Sequence, residues 1–250
     1  MTIVTSSEQA VRPAPSSWRG ALEHPLFTAV RADQVEPILR EMPPRRAKAG
    51  KLLSWPGAAP AHLHLVLSGR LQSYLLNSNG HQLLLEIIEP GGMDGLMAVS
   101  GQPGHFIQVM SDSVVVSIAA PQLERLVAAE PRIWLTLVGA MAARIQTREE
   151  QMESMASRGA AGLARLLLLL AKAHGNSAGQ RCGLELRLTH QMLADMLGVR
   201  RETVTVQWPS LISSGAVEMV DGSILLDRLA LRRLAEHEVD LHPSVEAASS

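Results

Sequence analysis

A single cysteine, Cys182, in 250 residues excludes an internal disulfide framework and any all-cysteine metal or iron–sulfur cluster built within one chain. Aromatic residues are scarce too, at 3% of the chain, so any core must be largely aliphatic. No excess charge of one sign exists: 23 Lys and Arg against 24 Asp and Glu leave a formal net charge of -1, without the global basic signature of many nucleic-acid binders. A local basic face remains compatible with that balance. The leucine run Leu166 to Leu170 is far short of the roughly 20 apolar residues of a membrane helix, and the amino terminus lacks the basic-then-apolar pattern of an export signal. These absences lead to the expectation of a cytoplasmic protein with no membrane partner.

The chain contains 46% hydrophobic and 19% charged residues, a globular composition at a length that suits two domains. Its organising stretch runs from Leu188 to Leu226. Thr189 can cap a helix whose apolar face is Met192, Leu193 and Met196; Gly198 ends that helix, and Val199 is expected to re-enter the core. A second helix begins around Arg200. Its first residues are polar, while Val204, Trp208, Leu211 and Ile212 recur on one face, leaving the amino-terminal end available to something outside. This is the pattern of a helix-turn-helix whose second helix enters the major groove, although apolar stripes separated by glycine also occur in ordinary helical hairpins. Asp221-Gly222, between Glu218-Met219-Val220 and Ser223 to Leu226, predicts a hairpin wing.

Upstream, residues 1–20 read as a loose tail, and Leu22 to Met42 as two short helices anchored by Leu26, Phe27, Val30, Val35, Ile38 and Leu39. Short strands follow between Arg45 and Ala120: His62 to Leu67, Leu71 to Leu76 after Gly69, Gln82 to Ile88 after an Asn79-Gly80 turn, then Val109 and Val114 to Ile118. Such a series makes a sandwich or jelly roll. From Pro131 to Ser157 a long helix carries Trp134, Val138, Met141, Ile145, Met152 and Met155 at alternating four- and three-residue spacing, interrupted at Arg148. That is a coiled-coil seam able to join two subunits, or a helix lying over its own sandwich. Ser157 to Ala160 reads as a hinge, Gly162 to Ala173 as a buried leucine-rich helix, and Asp227 to Glu236 as a closing helix.

The segment LTHQMLADMLGVRRETVT with the following LISSGAVEMVDGSILL resembles the winged helix-turn-helix of the cyclic-AMP receptor protein and fumarate-nitrate regulator (Crp/Fnr) family of bacterial transcription factors. HLHLVLSGRLQSYLL, Pro90-Gly91 and PQLERLV resemble that family's effector domain in the same order, and EPRIWLTLVGAMAARIQTREEQM occupies the place of its subunit-joining helix. The resemblance implies an α+β chain divided into a tail (1–20), a double-stranded β-helix (jelly-roll) effector domain (21–130), a dimerisation helix (131–157), a winged helix-turn-helix (158–238) and a second tail (239–250). It also implies that Arg201 and Glu202 read bases, the arginine fork at guanine and the carboxylate at cytosine. Arg200, Thr203, Thr205, Thr189 and His190 complete the expected DNA-binding set, reaching phosphate or a thymine methyl group. Val206 stands where the family often has a further arginine, and Pro209 removes a helical donor.

Two parts of the family's cyclic-nucleotide pocket depart from its pattern. Leu96 follows Gly95 where a glutamate is expected, and Gly104 and His105 stand where arginine and serine are expected. Arg148 and Glu149 replace the threonine and serine at the middle of the long helix. Asp94, Leu96, His105, Arg148 and Glu149 are therefore the candidate pocket residues, in a chain expected to lack the cyclic-nucleotide signature and to answer a different small effector, or none. The expected partners are double-stranded DNA at an inverted repeat, a second copy of the chain, and RNA polymerase. No cofactor or metal is expected, and no acid–base pair or activated nucleophile marks an enzyme. Two alternatives stand beside this: a protein-interaction module keeping the architecture with weak DNA binding, and a haem-based gas sensor using His105 with His62, His64 and His81.

Overall fold

The computed structural model describes residues 18–78, 80–157, 159–184, 186–220 and 223–236. Asn79, the Asp221-Gly222 hairpin tip, both distal tails and the Arg158 of the expected hinge lie outside the described residues. The chain separates into two compact units, one formed by residues up to Leu75 with Glu86–Ala140, the other by Leu76–Leu85 with everything from Met141 onward. The division falls inside the long helix and assigns the tip of one hairpin to the second unit.

The first unit opens with helix α1 (Trp18–Ala21), a 3-10 turn at Pro25–Phe27 and helix α2 (Ala32–Leu39). Helix α1 thus overlaps the stretch read as tail, because Trp18 packs against the core and stands under the Arg40 guanidinium, 5.0 Å from its ring centre. Strands β1 (Arg45–Ala47), β2 (Leu52–Ser54), β3 (His62–Leu76), β4 (Gln82–Ile88), β5 (Met93–Asp94) and β6 (Phe106–Ala119) form one sheet. Its order is β1-β6-β3-β4, with β2 on β6 and β5 on β3. The short helix α3 (Leu96–Val99) lies between β5 and β6, and α4 (Ala120–Ala129) follows β6.

Gly69 does not turn the chain between two strands, as its position in the sequence suggested; it sits inside the continuous strand β3. There φ is +78° and a Cβ would fall 2.2 Å from Ser113 Oγ, while the β3–β6 register shifts on both sides. It is a bulge glycine that lets two long strands bend while remaining paired. Alternation along β3 and β6 then sorts side chains onto two faces. Leu63, Leu65, Val116 and Ile118 join Leu26, Val35, Leu39, Leu126, Ile133 and Leu137 in one core, whereas Val66, Leu71, Ile107, Val109 and Val115 form another with Ala47 and Ile88.

Helix α5 (Arg132–Ala156) has the expected length. Ile133 and Leu137 are buried, but Trp134, Val138, Met141, Ile145, Met152 and Met155 are exposed, joined by Leu135 at 72%, which the seam reading missed. The second unit continues with α6 (Gly159–His174), β7 (Arg181–Gly183), α7 (His190–Leu197), α8 (Arg201–Ser213), β8 (Val217–Val220), β9 (Ser223–Asp227) and α9 (Arg228–Glu236). Leu163, Leu166, Leu167 and Leu170 of α6 are buried. Gly162 belongs there because a Cβ would approach Ser154 O and Ser157 O within 2.7 and 2.8 Å.

Candidate nucleic-acid interface

Thr189 caps α7, its Oγ1 accepting from Met192 N at 3.1 Å. Gly198 ends the helix in the left-handed conformation at φ 67°, where a side chain would be strained, and α8 begins three residues later. Leu193, Ala194, Met196 and Leu197 of α7 are buried, as are Val204, Trp208 and Leu211 of α8 at spacing i, i+4, i+7. Two expected core positions differ. Ile212 lies about 100° around the helix from Leu211 and is 46% exposed, and Val199, in the turn, is 40% exposed. Helix α8 runs through Pro209 to Ser213.

The two helices are also pinned by polar atoms. His190 Nδ1 lies 3.0 Å from Thr205 Oγ1, and the His190 ring packs 5.1 Å from that of Trp208. Since the Thr205 hydroxyl donates to Arg201 O at 3.1 Å, the imidazole is the donor of the pair. His190 and Thr205, two expected phosphate ligands, therefore bind one another, leaving the Thr205 methyl group for contact elsewhere. Arg200, Arg201 and Glu202 are exposed at the start of α8, and among the described residues none of the three forms an ion pair. Thr203 is half-buried, and Val206 is 78% exposed on the same helix. Burial pushes the Asp195 carboxyl up, with Gln191 and His81 opposing.

Strands β8 and β9 pair antiparallel, with Val217 opposite Leu226 and Val220 opposite Ser223. Strand β7 adds the third strand and carries buried Cys182 opposite Leu226. Asp227 closes the sheet and caps α9, its Oδ1 accepting from Leu229 N at 2.9 Å and Ala230 N at 3.0 Å. These bonds hold its carboxyl below the ordinary range, the Ala230 amide contributing most.

No local pattern in the chain marks Gln151. This buried side chain donates from Nε2 to Leu84 O at 3.0 Å and Met196 O at 3.1 Å, while its Oε1 accepts from Arg148 Nη1 at 3.1 Å. Within the second unit it ties the tip of the β3–β4 hairpin, α5 and the end of α7 together. Arg148 also donates to Leu85 O.

The candidate effector-pocket residues are divided between the two units, Asp94, Leu96 and His105 falling in the first. Asp94 is buried, its Oδ1 accepting from Gly95 N at 2.7 Å; Leu96 packs against the helix-facing core instead of lining a polar site; His105 is half-buried ahead of β6. Arg148 and exposed Glu149 belong to the second unit. Of the four histidines weighed as haem ligands, the structure stacks His62 and His64 with ring centres 6.0 Å apart. Among the described residues no three His, Cys, Asp or Glu gather as a metal site, and no helix is long and apolar enough to cross a membrane.

A β-roll ahead of a winged helix-turn-helix defines a ligand-domain DNA-binding regulator, and comparison with known proteins agrees. Residues 44–130 match the cyclic nucleotide-binding domain and residues 163–234 the Crp-like helix-turn-helix domain. The first match corrects the expectation that the chain lacks the cyclic-nucleotide signature: departures at Leu96, Gly104 and His105 do not remove the domain-level pattern. Similar proteins include the probable transcriptional regulator flp of Lacticaseibacillus casei, 28% identical over 77% of this chain and 78% of that protein. The CRP-like cAMP-activated global transcriptional regulator of Mycobacterium tuberculosis is 22% identical over 83% of this chain and 95% of its own length. The solved structure of a CooA mutant from Carboxydothermus hydrogenoformans superposes with a TM-score of 0.68 at 26% identity, covering 81% of this chain and 90% of that one. The chain is a DNA-binding transcription regulator, similar to those of the Crp/Fnr type.

Proposed function

We propose that this regulator acts in the cytoplasm as a homodimer joined through α5, places its two α8 helices on an inverted-repeat site, and answers a small effector other than cyclic AMP. The observation that carries the proposal is the exposed apolar stripe of α5, with Trp134 and Ile145 each 57% exposed and Met152 67% exposed. An apolar stripe of this kind is stable in water when a second helix covers it. Regulators of this type bind DNA and act as dimers, which supports the same arrangement here. RNA polymerase is the natural partner of the DNA-bound dimer.

Against cyclic AMP stand the packing of Leu96 into an apolar core and the bonding of Arg148 to Leu85 O and Gln151. Changing Met141 and Ile145 together to glutamate is expected to give monomers by light scattering and to reduce DNA affinity at least tenfold. Dimers of unchanged mass reject the seam. Calorimetric titration with cyclic AMP tests the effector half, where saturation at micromolar concentration contradicts it.

A further inference from the structure

Outside the residues that match the cyclic-nucleotide cassette, the first unit holds a cavity of about 320 Å³, near the lower end of small-molecule sites. It lies among β1, β2, the start of β3 and the end of β6, and is lined by Arg45, Arg46, Lys51, His62, His64 and Ser117. Among the described residues, Arg45, Arg46 and Lys51 form no ion pair. The cavity's acidic side chain, Glu41, is already held by Arg125 through two bonds of 2.7 and 2.8 Å. The charge left over is positive.

His64 is the second observation. It is 3% exposed; Nδ1 lies 2.9 Å from Ser117 Oγ, while Nε2 is buried with no hydrogen-bond partner. If the serine hydroxyl donates to Nδ1, the neutral ring carries its proton on Nε2 and lacks only an acceptor. A buried donor without an acceptor is uncommon in folded proteins and is often completed by a ligand or water. Burial, and then the neighbouring His62, lower the His64 pKa to about 4 against the opposing charge of Asp94, so the ring is neutral at physiological pH.

We propose that this cavity binds a small oxyanion, a phosphate- or carboxylate-bearing metabolite, with Arg45, Arg46 and Lys51 supplying charge and His64 Nε2 supplying a buried hydrogen bond. Guanidinium and ammonium groups give charge-assisted bonds to either head group, and an imidazole N–H adds direction. The assignment rests on reading the first unit as the effector domain. It places the signal away from Gly95, Leu96 and His105.

The full-length protein titrated with inorganic phosphate and, separately, with citrate tests the site. Saturable binding at one site per chain is expected, with the preferred probe revealing whether the anion is phosphate or carboxylate. His64 ring resonances should shift on binding, and their titration midpoint should rise from about 4, because a bound anion favours the protonated ring. The triple variant R45Q/R46Q/K51Q changes exposed side chains and is expected to weaken binding at least tenfold; K48Q, on a lysine paired with Asp112, should not. No saturation with either probe, or equal losses in the triple variant and K48Q, overturns the site. That failure leaves dimerisation and DNA reading untouched, since both are measured without an anion. A bound anion that leaves DNA affinity unchanged overturns its role as the signal.

Discussion

Replacing Gln151 with leucine keeps similar bulk and removes every polar atom from the junction of the hairpin tip, α5 and α7. Leu84 O and Met196 O then lose the donor that serves both, at 3.0 and 3.1 Å, and Arg148 Nη1 loses an acceptor. A buried group left without its partner costs about 1–3 kcal/mol. Arg148 retains Leu85 O, and two carbonyls sharing one amide group are each incompletely satisfied, so a total of about 2–3 kcal/mol follows. Native-state hydrogen exchange reads this locally. Amides in 76–85 and 190–197 should exchange faster by about thirtyfold or more, since each 1.4 kcal/mol is roughly tenfold. Those in β6 should not change. Gln151→Glu should be worse than leucine, because a carboxylate accepts from Arg148 but repels both carbonyls. Unchanged exchange in both segments would refute the reasoning.

Two further substitutions test local geometry. Asp227→Ala should cost about 1 kcal/mol near neutral pH by uncapping α9; because the native carboxyl pKa is depressed, that stabilisation is present above the ordinary carboxylate range and is lost as pH falls through the depressed value, so wild type and variant should converge in acid urea unfolding. Gly162→Ala should lower stability by about 1–3 kcal/mol, an overpacking cost, because its Cβ would meet two backbone carbonyls at the end of α5; an unchanged thermal midpoint contradicts the close approach.

The helix-turn-helix was legible because its information is local: a cap at Thr189, a left-handed glycine at 198 and apolar spacing through Leu211 fix both helices. The limits of the same logic appear at Ile212 and Val199, where apolar character alone suggested burial and the angular position around the helix, or a place in the turn, decided otherwise. In the roll, glycine read as punctuation between strands proved to be a bulge at Gly69, since bend and turn place the same demand on φ. Gln151 and His64 were beyond reach because their partners are distant in sequence: Leu84 is 67 residues from Gln151, and Ser117 is 53 from His64. The His190–Thr205 bond, spanning 15 residues, likewise joins two expected DNA ligands that the sequence alone does not connect.

The central claim, that α8 reads bases from its exposed amino-terminal turn, is tested most directly with Arg201→Ala on a complete set of single-base substitutions of a site selected from random DNA, at one fixed salt concentration. The two subunits should select an inverted repeat with half-sites about 10 base pairs apart, near 34 Å. Loss of the guanidinium should cost roughly 1–3 kcal/mol per half-site and flatten preference at one symmetric G·C position. Equal weakening across every substituted site would contradict base reading and reduce Arg201 to a backbone contact.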